Sequence, residues 1–351
     1  MTQRVLCFGE LLLRLGAPGR ECLLQSPALQ VHVGGAEANV AVSLARFGHP
    51  SAMAGTVADN ALGQAALGAL RLHGVDTARL RREGGRMGLY FLATGAGHRP
   101  SEVIYDRADS AFARADAAGY DWPSLLDGVD WLHLSGVTPA LGEACAHAAI
   151  EAARTARARG VEVSFDGNFR PKLWAAWDSR PGPLLHALLS EASIAFADHR
   201  DIDVVLGPEP DAAPDDAPTG ADDGGRHASR ILAAASRAFA AFPHLRRIVT
   251  TLRGQRSVDA HTLGAMMVTR DGDVHRIAPH PLEGIVDRIG GGDAFAAGVL
   301  HGLFEGMPDA DALAFGHAAA CLKHSVPGDF NLVDAAAVTA FVQQERLDVR
   351  R

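Results

Sequence analysis

The sequence predicts an α/β fold in three layers: a mostly parallel central sheet with helices on both faces, plus a small antiparallel lid sheet. Two patterns indicate this architecture. Short apolar runs alternate with helical segments of about 10 residues or more, which is typical of parallel strands joined by helices. Two other stretches, 11–33 and 87–110, are rich in strand-forming residues and contain no helical segment between strands. The composition, 48% hydrophobic and 21% charged, is that of a globular protein with a sizeable core.

The predicted elements follow one another in a regular order. Residues 5–9 form a short apolar run closed by a glycine, which predicts a buried strand. Residues 36–47 then place Val40, Leu44 and Phe47 at helical spacing before a glycine ends the helix. By the same criteria, strands are predicted at 51–57, 131–134, 161–166, 194–197 and 248–251, and helices at 61–73, 142–159, 228–241, 293–304, 309–324 and 334–344.

The stretches 11–33 and 87–110 are interpreted as a lid that stands off the main domain. In the second stretch alternate residues point to opposite faces, so Val103, Tyr105 and Arg107 share one face. An edge extension of the main sheet is the alternative interpretation. A protruding lid leaves an apolar face exposed, and we therefore expect a homodimer that pairs lid to lid.

The net negative charge is concentrated in one segment. With 33 Lys plus Arg and 41 Asp plus Glu, the formal net charge is −8, which argues against a nucleic-acid-binding protein. Residues 201–225 hold eight acids and no Lys or Arg, so the other 33 acids balance the 33 basic residues. Residues 207–226, rich in Pro, Asp, Ala and Gly, have no apolar periodicity and predict a flexible surface insertion. A functional site elsewhere can therefore be locally positive.

Residues 1–351 are predicted to form a single cytoplasmic domain with reduced thiols. No apolar run reaches the roughly 18 residues that span a bilayer, and the first ten residues lack the apolar core of a signal peptide. The four cysteines are far apart and have no C-x-x-C spacing, which favours free thiols.

Three consecutive glycines, Gly290, Gly291 and Gly292, precede Asp293 and a run of helix-forming residues. The first N–H groups of a helix are unpaired and its N-terminus is positive, so this junction predicts a phosphate cradle. Asp293 would repel a bound phosphate, which favours a general base that takes a proton from an attacking hydroxyl. A helix cap is the alternative role. The chain has neither a G-K-[ST] P-loop nor G-x-G-x-x-G after its first strand, which argues against P-loop and nicotinamide-binding proteins.

The segment 287–293, Asp-Arg-Ile-Gly-Gly-Gly-Asp, resembles the C-terminal D-T-x-G-A-G-D signature of the ribokinase-like (PfkB-type) carbohydrate kinases. Arg288 replaces Thr and Gly291 replaces Ala, while both aspartates and the flanking glycines are retained. The resemblance implies that Asp293 is the general base and that the amide groups of the three glycines receive the developing charge. It also implies a monovalent cation such as K⁺ near Asp287.

The N-terminal part of the chain carries a second resemblance to the same family. Gly34-Gly35 followed by Asn39 at a helix start is similar to the N-terminal signature, and residues 55–63 resemble the G-x-x-x-D-x-x-G segment one residue out of step. The resemblance extends from about residue 4 to residue 345. It implies a ribokinase-like fold, ATP as the phosphoryl donor, and Mg²⁺ to neutralise the charge of the transferring group.

A third resemblance points to one group within the family. Residues 164–174 resemble the D-x-N-x-R-P-x-L-W segment of 2-keto-3-deoxygluconate kinases, and residues 34–39 and 104–108 are similar to the same group. This implies a sugar acid as substrate, phosphorylated on its terminal hydroxyl to the 6-phosphate in Entner–Doudoroff metabolism. Guanidinium groups bind carboxylates in bidentate geometry, so Arg107 and Arg170 are expected to hold the acid. A surface salt bridge of Arg107 with a neighbouring aspartate is the alternative.

The resemblance also assigns the remaining site residues. The expected sugar ligands are Gly34, Gly35, Asn39, Tyr90, Tyr105, Arg107, Asp166, Asn168, Arg170 and Asp293. The expected nucleotide ligands are Asp198, Thr251, Arg253, Gly254, Gly290, Gly292 and Asn331. Asp201 replaces the Glu of the family's N-x-x-E segment and is expected to order Mg²⁺ through water. A turn cap for Asn39 and a half-buried lid position for Tyr90 are the alternative roles.

The substrate class has three alternatives at this point. A fructokinase or another neutral-sugar kinase would have less use for the two arginines, and the same argument counts against a nucleoside kinase. A catalytically silent sugar sensor on the same fold would not need Asp293 and the three glycines together. We therefore expect an ATP-dependent sugar-acid kinase.

Overall fold

A computed structural model describes residues 3–177, 180–208 and 223–343 of the chain. Within these residues the strands are β1 (Val5–Phe8), β2 (Leu12–Gly16), β3 (Gln30–Gly34), β4 (Ser51–Ala58), β5 (Leu80–Glu83), β6 (Gly88–Ala93), β7 (Glu102–Asp106), β8 (Trp131–Ser135), β9 (Glu162–Asp166), β10 (Ile194–Phe196), β11 (Arg247–Gln255), β12 (Ala260–Thr269) and β13 (Val274–Glu283). The α-helices are α1 (Ala36–Arg46), α2 (Ala61–Leu72), α3 (Trp122–Leu125), α4 (Glu143–Ala158), α5 (Pro171–Trp174), α6 (Pro181–Leu189), α7 (His199–Leu206), α8 (Asp223–Ala241), α9 (Gly291–Phe304), α10 (Asp309–Lys323) and α11 (Ala335–Val342).

The larger sheet of the described residues has nine strands in the order β13-β12-β11-β10-β9-β8-β1-β4-β5. The strands from β11 to β5 run parallel, and β12 and β13 form an antiparallel hairpin at one edge. The predicted mostly parallel sheet is therefore confirmed. Sequence periodicity does not reveal β5, whose residues Leu-Arg-Arg-Glu are mostly charged, or the edge hairpin, which has no helix between its strands.

Helices cover both faces of this sheet, which confirms the three predicted layers. Helices α1, α2, α9 and α10 bury apolar side chains in one core, and α4, α6, α7 and α8 bury theirs in a second core on the opposite face. All eight residues of β4 are buried, as a parallel strand covered on both faces requires.

The lid is a separate sheet of four strands in the described residues, in the order β3-β2-β6-β7. Its outer pairs are antiparallel as expected, whereas the central pair, β2 and β6, is parallel. The two central strands follow β1 and β5, which belong to the parallel part of the main sheet, so both enter the lid in the same direction.

The predicted acidic insertion lies mostly outside the described residues, at 209–222. Helix α8 begins at Asp223, five residues before the predicted start at 228. The last residues of the predicted insertion therefore belong to this helix. Asp201 and Asp203 belong to α7. All four cysteines lie in the described residues as free thiols. Among the described helices, none has the length and apolar character that a membrane span needs.

Candidate active site

A cavity of about 390 Å³ opens where the parallel strands end, between the central sheet, the lid and the start of α9. Ligand sites of open α/β sheets typically lie at this end of the strands. Twelve of the predicted site residues line it: Gly35, Asn39, Tyr90, Tyr105, Arg107, Asp166, Asn168, Arg170, Arg253, Gly290, Gly292 and Asp293. A larger cavity of about 910 Å³ shares Val103, Tyr105 and Arg107 with it but contains neither Asp293 nor the three glycines.

Asp293 lies in the first turn of α9 and faces Asn39 of α1. The Asn39 side chain donates from Nδ2 to Oδ2 of Asp293 over 2.6 Å. Burial raises the pKa of Asp293 to about 7, although the Asn39 hydrogen bond opposes that rise. The residue at the helix cap is Gly290, and Asp293 makes no capping hydrogen bond. A carboxyl group that titrates near neutral pH at the wall of a cavity has the properties of a general base.

The three glycines differ in what they contact. Gly290 adopts φ 78°, and a Cβ there would overlap the carbonyl oxygen of Asp329. Gly291 is buried against His324, and its amide N–H points to the carbonyl of Arg288 at 3.4 Å. Gly292 lines the cavity, and a Cβ there would meet no atom within 4 Å. Gly290 and Gly292 therefore line the cavity and Gly291 does not, so the three amides are not equivalent as donors to an anion.

Arginines without carboxylate partners surround the same cavity. Within the described residues, Arg253 and Arg288 form no ion pair, and Arg170 donates only to the carbonyl of Phe169 at 3.3 Å. Desolvation and the charge of Arg288 lower the pKa of Arg253. Three guanidinium groups without an ion-pair partner within 4 Å in the described part of the chain, beside Gly292, fit a ligand with several negative charges, such as a triphosphate.

Arg107 reaches the cavity from the end of the lid strand β7. Its Nε donates to Oε2 of Glu10 over 2.6 Å, and the hydroxyl of Ser110 donates to the other oxygen of Glu10. The expected alternative partner Asp106 pairs with Arg86 instead. The buried Glu10 therefore orients Arg107 and leaves its terminal nitrogens free of described partners. Glu10 is missed from the sequence, although an acid directly after a buried strand is a usable signal.

Tyr90 differs from its expected role as a donor to the sugar. Its hydroxyl donates to Oδ2 of Asp329 over 2.6 Å, and its side chain is buried in the lid. A lid position, buried rather than half-buried, is thus the better description of Tyr90, because its hydroxyl already donates to a protein carboxylate. Tyr105 lies beside it in the neighbouring strand and lines the cavity.

The glycines at the start of α1 allow close packing of the protein on itself. A Cβ at Gly34 would overlap the carboxylate of Asp329, and a Cβ at Gly35, with φ 143°, would overlap the carbonyl oxygen of Glu10. Only Gly35 lines the cavity. Gly34 therefore contacts Asp329 and does not line the cavity, so its position does not support the expected contact with the sugar.

Asp166 ends β9 and brings a third carboxyl group to the cavity. Burial, followed by the charges of Asp293 and Asp201, raises the pKa of Asp166 well above its ordinary value. Asn168 lines the cavity beside it with φ 38°. Carboxyl groups that raise one another's pKa suit a divalent cation, because the cation would remove their mutual repulsion.

Asp198 and Asp201 form the capping box of α7. The Asp198 carboxylate accepts hydrogen bonds from the N–H groups of Arg200 and Asp201, and the Asp201 carboxylate accepts from the N–H of Asp198 at 3.0 Å. Neither residue lines the cavity, although burial raises the pKa of Asp201 to about 6 and its charge acts on Asp166. The expected nucleotide contact of Asp198 is therefore replaced by helix capping.

Three further nucleotide ligands expected from the resemblance do not line the cavity: Thr251, Gly254 and Asn331. The first two lie on β11 beside Arg253, which does line it. Asn331 is buried, and its Oδ1 accepts from the N–H of Val333. The structure therefore places these three residues behind or beside the cavity wall.

Asp287 does not fit the expected monovalent cation. Its Oδ2 accepts from Arg14 over 2.7 Å and from the N–H of Gly328 over 3.0 Å, and its Oδ1 accepts from the N–H of Ile289 over 3.0 Å. Both oxygens are therefore occupied by protein donors, and the positive charge beside them belongs to Arg14.

Comparison with known proteins finds relatives along almost the whole chain. The model of the pfkB family carbohydrate kinases matches residues 2–335. The 2-dehydro-3-deoxygalactonokinase of Haloferax volcanii is 34% identical over 335 residues, which cover 95% of this chain and 94% of that protein. The crystal structure of 2-dehydro-3-deoxygluconokinase from Thermotoga maritima has a TM-score of 0.87 and 34% identity, over 97% of this chain and 99% of that one. A PfkB family carbohydrate kinase from Listeria grayi has a TM-score of 0.87 and 32% identity, over 97% and 100% of the two chains.

Proposed function

The chain belongs to the PfkB family of carbohydrate kinases, and we propose that it phosphorylates a sugar acid, 2-keto-3-deoxygluconate, on its terminal hydroxyl with ATP. One observation carries the choice of substrate. Arg107 and Arg170 line the same cavity as Asp293, so a ligand there can meet two guanidinium groups and a candidate base together. Relatives named as kinases of 2-dehydro-3-deoxy sugar acids support the same class.

The proposed reaction begins with proton transfer to Asp293. The ionised carboxylate takes the proton of the terminal hydroxyl, whose oxygen then forms a bond to the γ-phosphorus of ATP. The bond from that phosphorus to the β–γ bridging oxygen breaks, and ADP leaves with the electron pair. Gly292, Arg253 and Arg288 line the cavity where this charge develops, and the amide of Gly292 and the two guanidinium groups would stabilise it.

The sugar acid would lie between the lid and the end of β9. Its carboxylate would pair with the free terminal nitrogens of Arg107 and with Arg170, which is exposed at the opposite wall. Glu10 holds the Nε of Arg107, so the guanidinium is already oriented before substrate binds. A neutral sugar would leave Arg170 and the free terminal nitrogens of Arg107 without an anionic partner, and this disfavours a fructokinase.

Mg²⁺ would be held beside Asp166, with Asp201 behind it. The buried carboxyl groups there raise the pKa of Asp166, which supports a divalent cation at that wall. When bound, the ion neutralises negative charge on the phosphates. Asp166 is the residue of this pair that lines the cavity, and Asp201 would act through water.

A substrate panel with ATP tests the proposal. Purified protein would be assayed for ADP release with 2-keto-3-deoxygluconate, 2-keto-3-deoxygalactonate, fructose and a nucleoside. We expect kcat/KM for one of the two acids to exceed that for fructose by about 100-fold or more. A preference for fructose would establish the neutral-sugar alternative, and no ADP release with any compound would favour the silent sensor. The Asp293→Asn variant controls for contaminating kinases.

We also propose that the protein forms a homodimer through its lids. Val31, Leu15, Phe91 and Ile104 are paired side by side across the four lid strands. Val31 is 59% and Ile104 47% exposed, so this apolar row faces outward. Light scattering should give about twice 36.8 kDa for the wild type and the monomer mass for Ile104→Lys. Val274→Lys, at an exposed valine outside the lid, is the control; a monomeric wild type would contradict the dimer.

A further inference from the structure

A buried ion-pair cluster joins the lid to residues 287–293, which are called the glycine segment below. Arg14 of β2 donates from a terminal nitrogen to Oδ2 of Asp287 over 2.7 Å, and its Nε lies 3.1 Å from Oδ1 of Asp329. The three side chains are 3%, 12% and 2% exposed. Tyr90 of β6 donates to the other oxygen of Asp329. Both lid strands are thus tied to Asp329, and β2 is also tied to Asp287.

Asp287 and Asp329 both contact the backbone around the anion cradle. Asp287 accepts from the N–H of Ile289, just before the three glycines, and from the N–H of Gly328 in the loop after α10. The backbone of Asp329 in that loop packs directly on Gly290, where a Cβ would not fit. A shift of the Arg14 guanidinium would therefore move both segments that shape the cradle.

The charges in this cluster are balanced without an added ion. Arg14 and Lys323 bring two positive charges, and Asp287 and Asp329 bring two negative charges. Lys323 is fully buried and donates to the carbonyl of Val326. A further cation beside Asp287 would have to displace a protein donor and lie against a guanidinium, which is unfavourable in a buried site.

We propose that the guanidinium of Arg14 takes the place of a monovalent cation at Asp287, so that the glycine segment is held by an internal charge that is supplied by the lid. Arg14 is a positioning residue, since it does not line the cavity. The expected effect of Arg14 on turnover rests on the proposed function. Its expected effect on stability can be measured on the protein without substrates.

The structural consequence is tested by thermal unfolding without substrates. Melting temperatures of the wild type, Arg14→Ala, Arg14→Lys and Arg20→Ala would be compared in KCl and in tetramethylammonium chloride at equal ionic strength, and with guanidinium at about 5 mM, where it acts as a ligand. We expect the wild type and Arg20→Ala, an exposed lid arginine paired with Asp259, to show no difference between the two salts. Arg14→Ala should be less stable and should be stabilised by K⁺ or guanidinium, because both enter the vacated space.

The catalytic consequence is tested with the substrate identified by the panel. The wild-type rate should change by less than about twofold between the two salts, while Arg14→Ala should lose about tenfold in kcat and regain part of it with guanidinium or K⁺. Its KM for the sugar acid should change little, because Arg14 does not touch the cavity. Strong activation or stabilisation of the wild type by K⁺ would overturn the proposal even if Arg14→Ala does not fold. Equal kcat for Arg14→Ala and the wild type would overturn it as well.

Absence of kinase activity would count against the proposed function alone, since the melting experiment still decides the role of Arg14. Arg14→Lys separates charge from shape. If Arg14→Lys keeps the stability and the salt-independence of the wild type, a positive charge at this position suffices. If Arg14→Lys needs added guanidinium, the contact of one guanidinium with both Asp287 and Asp329 is required. Both results support an internal cation.

Discussion

The side-chain amide of Asn39 holds one oxygen of Asp293 at 2.6 Å and leaves the other oxygen to the cavity. Asn39 lies in the first turn of α1 and Asp293 in the first turn of α9, two helices that pack against each other on one face of the central sheet. The contact joins the two signatures at opposite ends of the sequence. A donor on the carboxylate favours its ionised form, the form that a base requires.

Asn39→Ala should shift the pH dependence of turnover. Loss of the donor removes a group that lowers the pKa of Asp293, so the carboxyl should ionise at higher pH than about 7. The rising limb of kcat against pH should move up by about one unit. Asn60→Ala, which removes an amide that caps α2 away from the cavity, is the control. An unchanged inflection in Asn39→Ala would show that this hydrogen bond does not tune the base.

Asp293→Asn should lose about 100-fold or more in turnover and yet gain stability at alkaline pH. The carboxyl titrates at an ordinary 3.8 in the unfolded chain and at about 7 in the folded protein. Between these values the folded state binds a proton that the unfolded state has released, so the wild type loses stability as the pH rises. Urea unfolding should therefore show little advantage of Asp293→Asn near pH 4 and an advantage of roughly 4 kcal/mol at pH 8. An equal difference at both pH values would contradict the raised pKa.

Arg107→Ala and Arg170→Ala should discriminate acids from neutral sugars. Removing a charged donor to a carboxylate should raise KM for 2-keto-3-deoxygluconate by about 10-fold or more, and KM for a neutral analogue by much less. Steady-state kinetics on both substrates measures this directly. Arg86→Ala, which removes an exposed lid arginine paired with Asp106, is the matched control. Equal increases for both substrates would argue against a carboxylate clamp.

Arg288→Thr should weaken anion binding without lowering the stability of the free protein. Arg288 lies near Arg253, and the two like charges repel each other until an anion binds. Calorimetry with tripolyphosphate should show affinity reduced about tenfold, while the melting temperature of the free protein stays equal or rises. Arg79→Thr, at an arginine that pairs with Asp76 and does not line the cavity, should leave the affinity unchanged. A lower melting temperature with normal affinity would assign Arg288 a structural role.

Motifs predicted much of the candidate site because they are contiguous in sequence. Asp293 and its glycines begin a helix, and the helix start itself creates the anion cradle. Arg288 replaces the Thr of the family signature, and this departure was a sequence signal that the residue belongs to the site. Glu10 has only the weaker signal of an acid directly after a buried strand, and Arg14 has none. Their roles depend on partners about 100 and 270 residues away, namely Arg107 and Asp287.

By itself, the sequence determined the alternation of strands and helices, the parallel sheet, the lid stretches and the family signatures, because these depend on local periodicity and on short contiguous motifs. Only the tertiary structure decided which polar groups are already satisfied by the protein. It gave the hydroxyl of Tyr90 to Asp329, the carboxylate of Asp201 to a helix cap, and Asp287 to Arg14. Hydrogen bonds and ion pairs of buried side chains join residues distant in the chain, so a pattern of residue types cannot assign them.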